Sequence, residues 1–289
     1  MKMRHWSFIT LAAAYIFLTV GTTVSGGGCG GGDSKAGSTG TAGNTGGGGT
    51  MGNAGTTGSG GSGPVLMEAN KISDFEDLTA ATVVMAGTPP RNGYWYTYND
   101  MTPCTQVPAA MDTTMKYIGA APPSGVHDAT LGSMALHGSW TGCTVWGAGI
   151  GADLNQPMVP DGGTYTGKKV KYDVTAYTGV TFWAMATTGS DTMLRIKFPM
   201  SDETKVEDGG DCVESSTNKC SDDWGEQFNL PTNGNWKQIT IKWGDTGFHQ
   251  EGWGAVFAWN PKDVTSIQIQ SVDKGETYDF WIDDMYFIQ

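Results

Sequence analysis

The 289-residue chain carries a formal net charge of −12 at pH 7 and contains 44 glycines. It has no basic cluster, which argues against binding to nucleic acid or to anionic lipid surfaces through charge. Glycine dominates residues 26–63, whereas almost all the aromatic residues come later. The chain therefore divides into a leader and a folded domain.

Residues 1–25 have the layout of a secretory signal peptide. Lys2 and Arg4 precede an apolar run from Phe8 to Val20 that is too short to span a bilayer comfortably. We therefore expect the protein to be exported to the bacterial cell envelope or its outer surface. This location favours disulfide formation.

Cys29 follows the signal and resembles the lipid-attachment cysteine of bacterial lipoproteins. The usual aliphatic residue three places before that cysteine is Gly26 here. Lipidation of Cys29 is our prediction, and plain cleavage near Ser25 followed by secretion is the alternative. A lipid anchor would be the only contact with a membrane.

Residues 26–64 are predicted to be a flexible linker. They are rich in glycine, with serine, threonine, asparagine and alanine making up nearly all the rest, so they cannot bury apolar surface. A random coil of this length has a root-mean-square span of roughly 35 Å. Such a linker would hold the domain formed by residues 65–289 clear of a membrane.

The domain contains four of the five cysteines, Cys104, Cys143, Cys212 and Cys220. An even number in an exported chain predicts disulfides, for which three pairings exist. The short spacing from Cys212 to Cys220 favours a local bridge and leaves Cys104 to pair with Cys143. A zinc site is the rival interpretation, but the chain has no C-x-x-C motif and no histidine beside these cysteines.

Short segments of alternating apolar and polar residues, bounded by Gly, Pro, Asn or Asp, predict about ten strands. The clearest segments are 72–77, 91–100, 133–140, 144–152, 180–186, 192–198, 236–243, 266–271 and 278–288. No long helical periodicity follows the signal. The pattern therefore predicts an all-β domain, a two-sheet antiparallel β-sandwich of the jelly-roll type.

The last of these segments, Tyr278–Ile288, is the most apolar and is predicted to lie within a sheet. Phe280 and Ile282 share one parity, whereas Met285 and Phe287 share the other. The pattern therefore slips by one residue at Asp283 and Asp284, as a β-bulge would make it.

Two adjacent carboxylates in a buried strand are costly unless a positive charge meets them. A bulge that turns one of them outward is one solution. A bound calcium ion is the other, held by the carboxylates of Asp74, Glu76, Asp283 and Asp284, because strands from the two ends of the domain can lie side by side.

Four motifs in chain order resemble the galactose-binding-like jelly rolls of carbohydrate-binding modules, most nearly those of family 11. They are Ile72–Asp77, Gly179–Ala184, Trp236–Ile241 and Phe280–Asp284. The resemblance implies a non-catalytic module that binds polysaccharide along a concave sheet face, with a structural calcium near the joined terminal strands. Family 11 is associated with β-glucans, and relatives of the same fold bind other glycans or proteins. The loop 202–223 is not part of the resemblance.

Binding a sugar requires flat rings to stack on pyranose faces and polar groups to fix the hydroxyls. The candidates here are outward-facing polar residues of the predicted strands, together with aromatic residues of an early strand and a late loop. They are Trp95, Tyr96, Tyr98, Arg195, Lys197, Gln250, Trp253, Gln268 and Gln270. For any single tryptophan, a place in the core is the competing interpretation.

Two other functions compete with the binding of a polysaccharide by a monomeric module. A glycoside hydrolase needs two carboxylates facing each other across a cleft, and no such pair is singled out in the sequence. Neither the G-x-S-x-G motif nor the H-E-x-x-H motif occurs. A surface adhesin or assembly protein that binds another protein through the same face also fits the linker.

Overall fold

The segments of alternating residues form the strands of two antiparallel sheets. The computed structural model describes residues 66–76, 91–109, 119–123, 125–128, 132–155, 168–231 and 233–289. The predicted signal, Cys29 and the whole predicted linker lie outside the described residues. No helix among the described residues is long and apolar enough to cross a membrane.

Twelve strands are described, joined by loops and two short 3₁₀ turns, Glu68–Asn70 and Val206–Asp208. Their bounds are β1 Lys71–Ser73, β2 Trp95–Asn99, β3 Thr105–Val107, β4 Gly119–Ala120, β5 Ala135–Thr141, β6 Ala148–Asp153, β7 Gly179–Ala186, β8 Met193–Lys197, β9 Gly225–Asn229, β10 Lys237–Lys242, β11 Ser266–Ser271 and β12 Tyr278–Ile288.

The first sheet has seven strands and is built around β12. Its main path runs β10-β7-β12-β5-β3, with β1 paired to β12 and β4 paired to β5. One edge of β12 pairs with β7 along its length, and the other pairs first with β5 and then with β1. The last strand thus lies in the middle of the sheet, as its apolar sequence predicts.

The bulge predicted in β12 is confirmed. Asp283 pairs with Trp183 and Tyr286 with Thr181, so one extra residue is accommodated between them, and Asp284 has a φ of 45°. Phe280, Ile282, Met285 and Phe287 consequently all reach the same core despite their change of parity. Trp281, of the opposite orientation, packs in a separate small cluster with Ala135 and Met185.

The second sheet has five strands in the order β2-β6-β11-β8-β9. Its inner face contributes Trp95, Ile150, Ile196, Ile267 and Ile269 to the core that it shares with the first sheet. Burial of these alternating residues against the apolar face of the first sheet is the main stabilising term. The predicted all-β, two-sheet antiparallel sandwich is confirmed.

Both predicted disulfides are present. Cys104 bonds to Cys143 and Cys212 bonds to Cys220. The first joins the loop before β3 to the loop after β5, and the second closes a short loop between β8 and β9. The zinc interpretation of the four cysteines is therefore wrong, because disulfide sulfurs are not available as thiolate ligands.

Candidate functional site

The outer face of the five-stranded sheet brings together most of the predicted ligand-binding residues. Strand register places them in two rows that run across the strands. The first row is Tyr96, Gly151, Gln268 and Lys197, and the second is Tyr98, Gly149, Gln270 and Arg195. Because side chains alternate along a strand, the apolar neighbours of these residues point into the core.

The two tyrosine rings lie against the bare backbone of β6. A Cβ atom at Gly149 would lie 2.4 Å from Cζ of Tyr98, and one at Gly151 would lie 2.7 Å from Cζ of Tyr96. Any other residue at these two positions would displace the rings. The alternate glycines of β6 thus make room for a flat aromatic floor.

Gln268 connects the two phenols. Its Nε2 donates to the Tyr96 hydroxyl at 2.9 Å, and the Tyr98 hydroxyl donates to its Oε1 at 3.1 Å. Burial raises the pKa of both phenols, so both are protonated at neutral pH. The floor is therefore polar and uncharged at its centre.

Lysine–aspartate pairs lie on either side of this centre. Lys169 Nζ is 2.7 Å from Asp153 Oδ1, and Lys197 Nζ is 2.7 Å from Asp223 Oδ2. Lys197 also donates to Gln270 Oε1 at 3.0 Å. Burial raises the pKa of Asp153, and the charge of Lys169 opposes that rise. The charges of the floor are thus balanced in pairs.

Two exposed tryptophans lie in the same cleft as this floor. Trp146 is 42% exposed and Trp253 is 56% exposed, although large apolar side chains are usually buried. Both line a cleft of about 820 Å³ and also a smaller adjoining cleft of about 390 Å³. The Trp146 ring centroid lies 5.8 Å from that of Tyr98.

The loop 202–223 forms another part of the cleft lining. Its Lys205, Glu214, Cys220 and Ser221 all line the larger cleft. The Cys212–Cys220 disulfide closes the part of the loop that contains Glu214. A segment outside the family resemblance thus contributes to the site.

Glu203 lies behind the cleft and is fully buried. Its carboxyl accepts hydrogen bonds from Gln250 Nε2 at 3.1 Å and from the Met200 amide at 3.2 Å. Burial, reinforced by the charge of Asp223, raises the pKa of Glu203 to about 9. The loop thus contains a buried carboxyl group that is protonated at neutral pH.

The prediction that Trp95 binds ligand is wrong. Its side chain is 2% exposed and its ring centroid lies 5.2 Å from that of Phe75 in the core. Alternation along β2 turns Trp95 inward because its neighbour Tyr96 faces outward. The competing interpretation, a tryptophan in the core, holds at this position.

Gln250 does not line either cleft, contrary to the prediction. Its amide nitrogen donates to Glu203, to the Asp222 carbonyl and to the Ala255 carbonyl, and its amide oxygen accepts from the Phe257 amide. Both the nitrogen and the oxygen of the Gln250 side-chain amide are therefore engaged in hydrogen bonds within the protein. Gln250 is a structural residue.

Arg195 lies in the second row but its guanidinium is mostly buried. It donates to the His249 carbonyl and, at 3.3 Å, to the Asp223 carbonyl, and Nη1 lies 3.2 Å from Glu251 Oε1. It lines the smaller cleft. Arg195 therefore supports the loop around His249 as well as facing the site.

The four predicted calcium ligands fall into two groups with different partners. Asp283 and Asp284 are buried together, and His127 lies between them, with Nδ1 3.4 Å from Asp283 Oδ2 and Nε2 3.4 Å from Asp284 Oδ2. Asp74 contacts Lys71 at 3.3 Å, and Glu76 Oε1 accepts from the Ser133 and Met134 amides.

Burial raises the pKa of both central carboxyls, that of Asp284 to about 6. The charge of Asp74 further raises the pKa of Asp284, and the charge of Glu76 further raises the pKa of Asp283. Carboxylate oxygens are the ligands that calcium prefers, and a cation would relieve this repulsion. Asp283 and Asp284 thus supply oxygen atoms of the kind that the calcium prediction requires, whereas Asp74 and Glu76 are bonded to other groups.

Several residues of the site were not predicted from the sequence. They are Trp146, Asp153, Lys169 and Asp223. Trp146 falls within a segment that was predicted to be strand from residue 144, whereas β6 begins at Ala148. An aromatic residue flanked by Cys143 and the glycines of β6 is the signal that could have identified it.

No family model and no curated protein match the chain. Solved structures that align with it include a family 11 carbohydrate-binding module from Clostridium thermocellum in complex with a β-1,3-1,4-mixed-linked tetrasaccharide. That alignment has 15% identity, covers 76% of this chain and 94% of the module, and has a TM-score of 0.38.

Two further modules align similarly. A family 30 module of a cellulosomal cellulase from Clostridium thermocellum has 12% identity, coverage of 76% and 97%, and a TM-score of 0.40. A family 61 module in complex with β-1,4-galactotriose has 13% identity, coverage of 68% and 88%, and a TM-score of 0.30. Similarity at this level does not assign the chain to a family.

Proposed function

We propose that the larger cleft binds a polysaccharide chain without cleaving it. The observation that carries this proposal is the floor of Tyr96 and Tyr98, flanked by the exposed rings of Trp146 and Trp253. Flat rings stack on the apolar faces of pyranose units. Gln268, Gln270 and Lys197 present amide and ammonium groups beside the rings, where they can bind sugar hydroxyls.

The charge pattern favours a neutral glycan. Lys169 and Lys197 are each paired with an aspartate at 2.7 Å. Binding of an acidic glycan would require a cation whose charge is not already balanced in this way. Neutral hydroxyls, in contrast, can both donate to and accept from the paired groups.

Hydrolysis is the less favoured function. Asp153 and Asp223, which line the cleft, are each held by a lysine at 2.7 Å, so both carboxylates are already engaged in ion pairs. Glu203 has the raised pKa of a general acid, but it is fully buried and bonded to Gln250. A glycosidase needs its acid and its second carboxylate exposed on opposite sides of the scissile bond.

The test is retention of the full chain on immobilised glycans, with analysis for released sugars. The probes are mixed-linkage β-1,3-1,4-glucan and β-1,4-galactan, followed by a wider glycan array. We expect retention on at least one neutral glycan with no products, and loss of retention in the Trp253→Ala variant. Release of oligosaccharides would instead support the hydrolase. A folded chain that binds no glycan would contradict the proposal and favour the protein-binding adhesin.

We also propose that the protein is exported and held at the bacterial surface through a lipid on Cys29, with the domain acting as a monomer. The supporting observations are the signal-like leader, Cys29 and the glycine-rich linker. An anchored linker would present the cleft to polysaccharide outside the cell.

We further propose that Asp283 and Asp284 hold a structural calcium ion, which would supply charge compensation at the bulge of β12. An ion at a hundred times its dissociation constant adds about 2.7 kcal/mol of stability. A chelator should therefore lower the melting temperature of the wild type and leave that of Asp284→Asn unchanged. An unaltered wild-type melt would leave His127 as the counter-charge for the pair.

A further inference from the structure

The two exposed tryptophans of the cleft lie on loops that are held in the same way. In each loop, the amides around the tryptophan donate to a single aspartate carboxylate from another part of the chain. The tryptophan side chains themselves remain exposed. The arrangement therefore fixes the backbone of each loop and leaves its ring available.

Asp100 holds the loop that carries Trp146. Its Oδ2 accepts hydrogen bonds from three consecutive amides, those of Val145 at 2.7 Å, Trp146 at 3.1 Å and Gly147 at 3.1 Å. Its Oδ1 accepts from the amide and the hydroxyl of Thr102. These bonds lower the pKa of Asp100, so its carboxylate stays charged and strengthens each of them.

Asp222 holds the loop that carries Trp253. Its Oδ1 accepts from the Glu251 amide at 3.0 Å, and its Oδ2 accepts from the Gly252 amide at 2.8 Å and the Gly254 amide at 2.9 Å. Asp222 itself is buried. The carboxylate thus accepts hydrogen bonds from the backbone on both sides of Trp253.

The two loops adjoin different strands of the five-stranded sheet. Trp146 lies two residues before Ala148, the start of β6, and Trp253 follows His249, whose backbone pairs with Gly225 in β9. Strands β11 and β8 lie between β6 and β9. The two rings therefore reach the cleft from separate sides, and the distance between them depends on both loops staying in place.

We propose that Asp100 and Asp222 are positioning residues that fix Trp146 and Trp253 in advance of binding, and so set the affinity and the ligand width of the cleft. The inference rests on the proposed function. Its physical basis is that a loop whose backbone is already fixed loses less conformational freedom when ligand binds. Each carboxylate acts only through its own loop.

A pair of double-mutant cycles tests this assignment on mixed-linkage β-1,3-1,4-glucan and β-1,4-galactan. We expect Trp146→Ala and Trp253→Ala to weaken binding about tenfold or more. Asp100→Ala and Asp222→Ala should each weaken it about two- to tenfold. In the Trp146→Ala background, Asp100→Ala should cause no further loss, and the same should hold for Asp222→Ala with Trp253→Ala.

The chain offers a matched control. Asp173 accepts hydrogen bonds from the amide and hydroxyl of Thr175, as Asp100 does from Thr102, but Thr175 lines neither cleft, whereas Asp100 also bonds to the loop of the cleft residue Trp146. Asp173→Ala should therefore leave affinity unchanged. Because Asp222 is buried, Asp222→Asn, which keeps one acceptor oxygen, serves where the alanine variant does not fold.

Hydrogen exchange of the free protein gives a measurement that needs no ligand. The amides of residues 145–147 should exchange faster in Asp100→Ala, and those of residues 251, 252 and 254 faster in Asp222→Ala or Asp222→Asn. The assignment would be overturned if these amides exchange at the wild-type rate in the aspartate variants. It would also be overturned if, in each double-mutant cycle, the losses of affinity of the aspartate and tryptophan variants simply add. If the wild type binds neither glycan, the proposed function fails on these probes, and exchange alone decides whether the carboxylates fix the loops.

Discussion

Trp95 and Tyr96 are neighbours in β2 and lie in opposite environments. Four of the five residues from 94 to 98 are aromatic, so the sequence predicts a strand with aromatic rings on both faces. Nothing in that run shows which parity faces the core. The answer depends on the small residues of β6, since Gly149 and Gly151 leave room for Tyr98 and Tyr96 on one side only.

Alanine substitution should distinguish the buried ring of Trp95 from the exposed ring of Trp253 by its effect on the free energy of unfolding. Trp95→Ala removes a buried ring and should lower the free energy of unfolding by about 3–5 kcal/mol. Trp253→Ala removes an exposed ring and should change it by no more than about 0.5 kcal/mol. Denaturant unfolding measures both. Equal losses in the two variants would contradict the difference in burial between the two rings.

Glu203 should make the protein less stable as pH rises. Its pKa rises from an ordinary 4.5 to about 9 in the folded state. Between these values the folded state binds more protons than the unfolded state, so the free energy of unfolding falls with increasing pH. The melting temperature of the wild type should therefore decrease from pH 5 to pH 9, and Glu203→Gln should decrease less steeply.

The control for this measurement is Glu207→Gln, because Glu207 is exposed on a neighbouring turn. Its melting temperature should follow the wild-type pH dependence. A Glu203→Gln variant with the full wild-type slope would show that other groups cause the dependence.

Among the elements, the long apolar strands were predictable and the short edge strands were not. Segment 278–288 was predicted as a strand with a bulge at Asp283 and Asp284, and β12 has those bounds and that irregularity. In contrast, β3, β4 and β9 were missed. The first two have three and two residues, too few for alternation to show, and β9 is an edge strand with only two residues buried.

The two disulfides should differ in their contribution to stability. In the chain-entropy model a crosslink stabilises more when it closes a longer loop. The sequence separation is 39 residues for Cys104–Cys143 and 8 for Cys212–Cys220. Replacing both cysteines by serine should therefore cost about 4 kcal/mol for the first and about 2.5 kcal/mol for the second.

Differential scanning calorimetry of the two double-serine variants checks this order. The Cys212–Cys220 variant also loosens a loop that lines the larger cleft, so we expect it to lose glycan affinity despite its smaller loss of stability. A Cys212–Cys220 variant that binds like the wild type would show that the loop does not contribute to the site.

For the whole molecule, the face that carries the site was predictable but its complete set of residues was not. Polar residues alternating with apolar ones identified Lys197, Gln268 and Gln270 as outward-facing. The Lys169–Asp153 pair joins segments on either side of a stretch outside the described residues, and Asp223 meets Lys197 from a loop. Such contacts depend on how distant segments pack together, and the alternation of residues within one strand carries no information about that packing.

The linker and Cys29 give a prediction for the whole molecule. If Cys29 carries a lipid, Cys29→Ser should move the protein from the membrane fraction to the soluble fraction outside the cell. Immunoblotting of the fractions measures this. Wild-type protein already in the soluble fraction would contradict the anchor, and cleavage near Ser25 would then be the better interpretation.

The position of β12 also affects when the fold can form. This strand follows every other described strand in the chain, yet it lies between β7 and β5 and pairs with β1 across more than 200 residues. Until β12 emerges from the ribosome, β7 and β5 each present an unpaired edge that can pair with another chain. We therefore expect the larger sheet to be completed late, by long-range pairing, and the unfinished domain to be prone to aggregation until then.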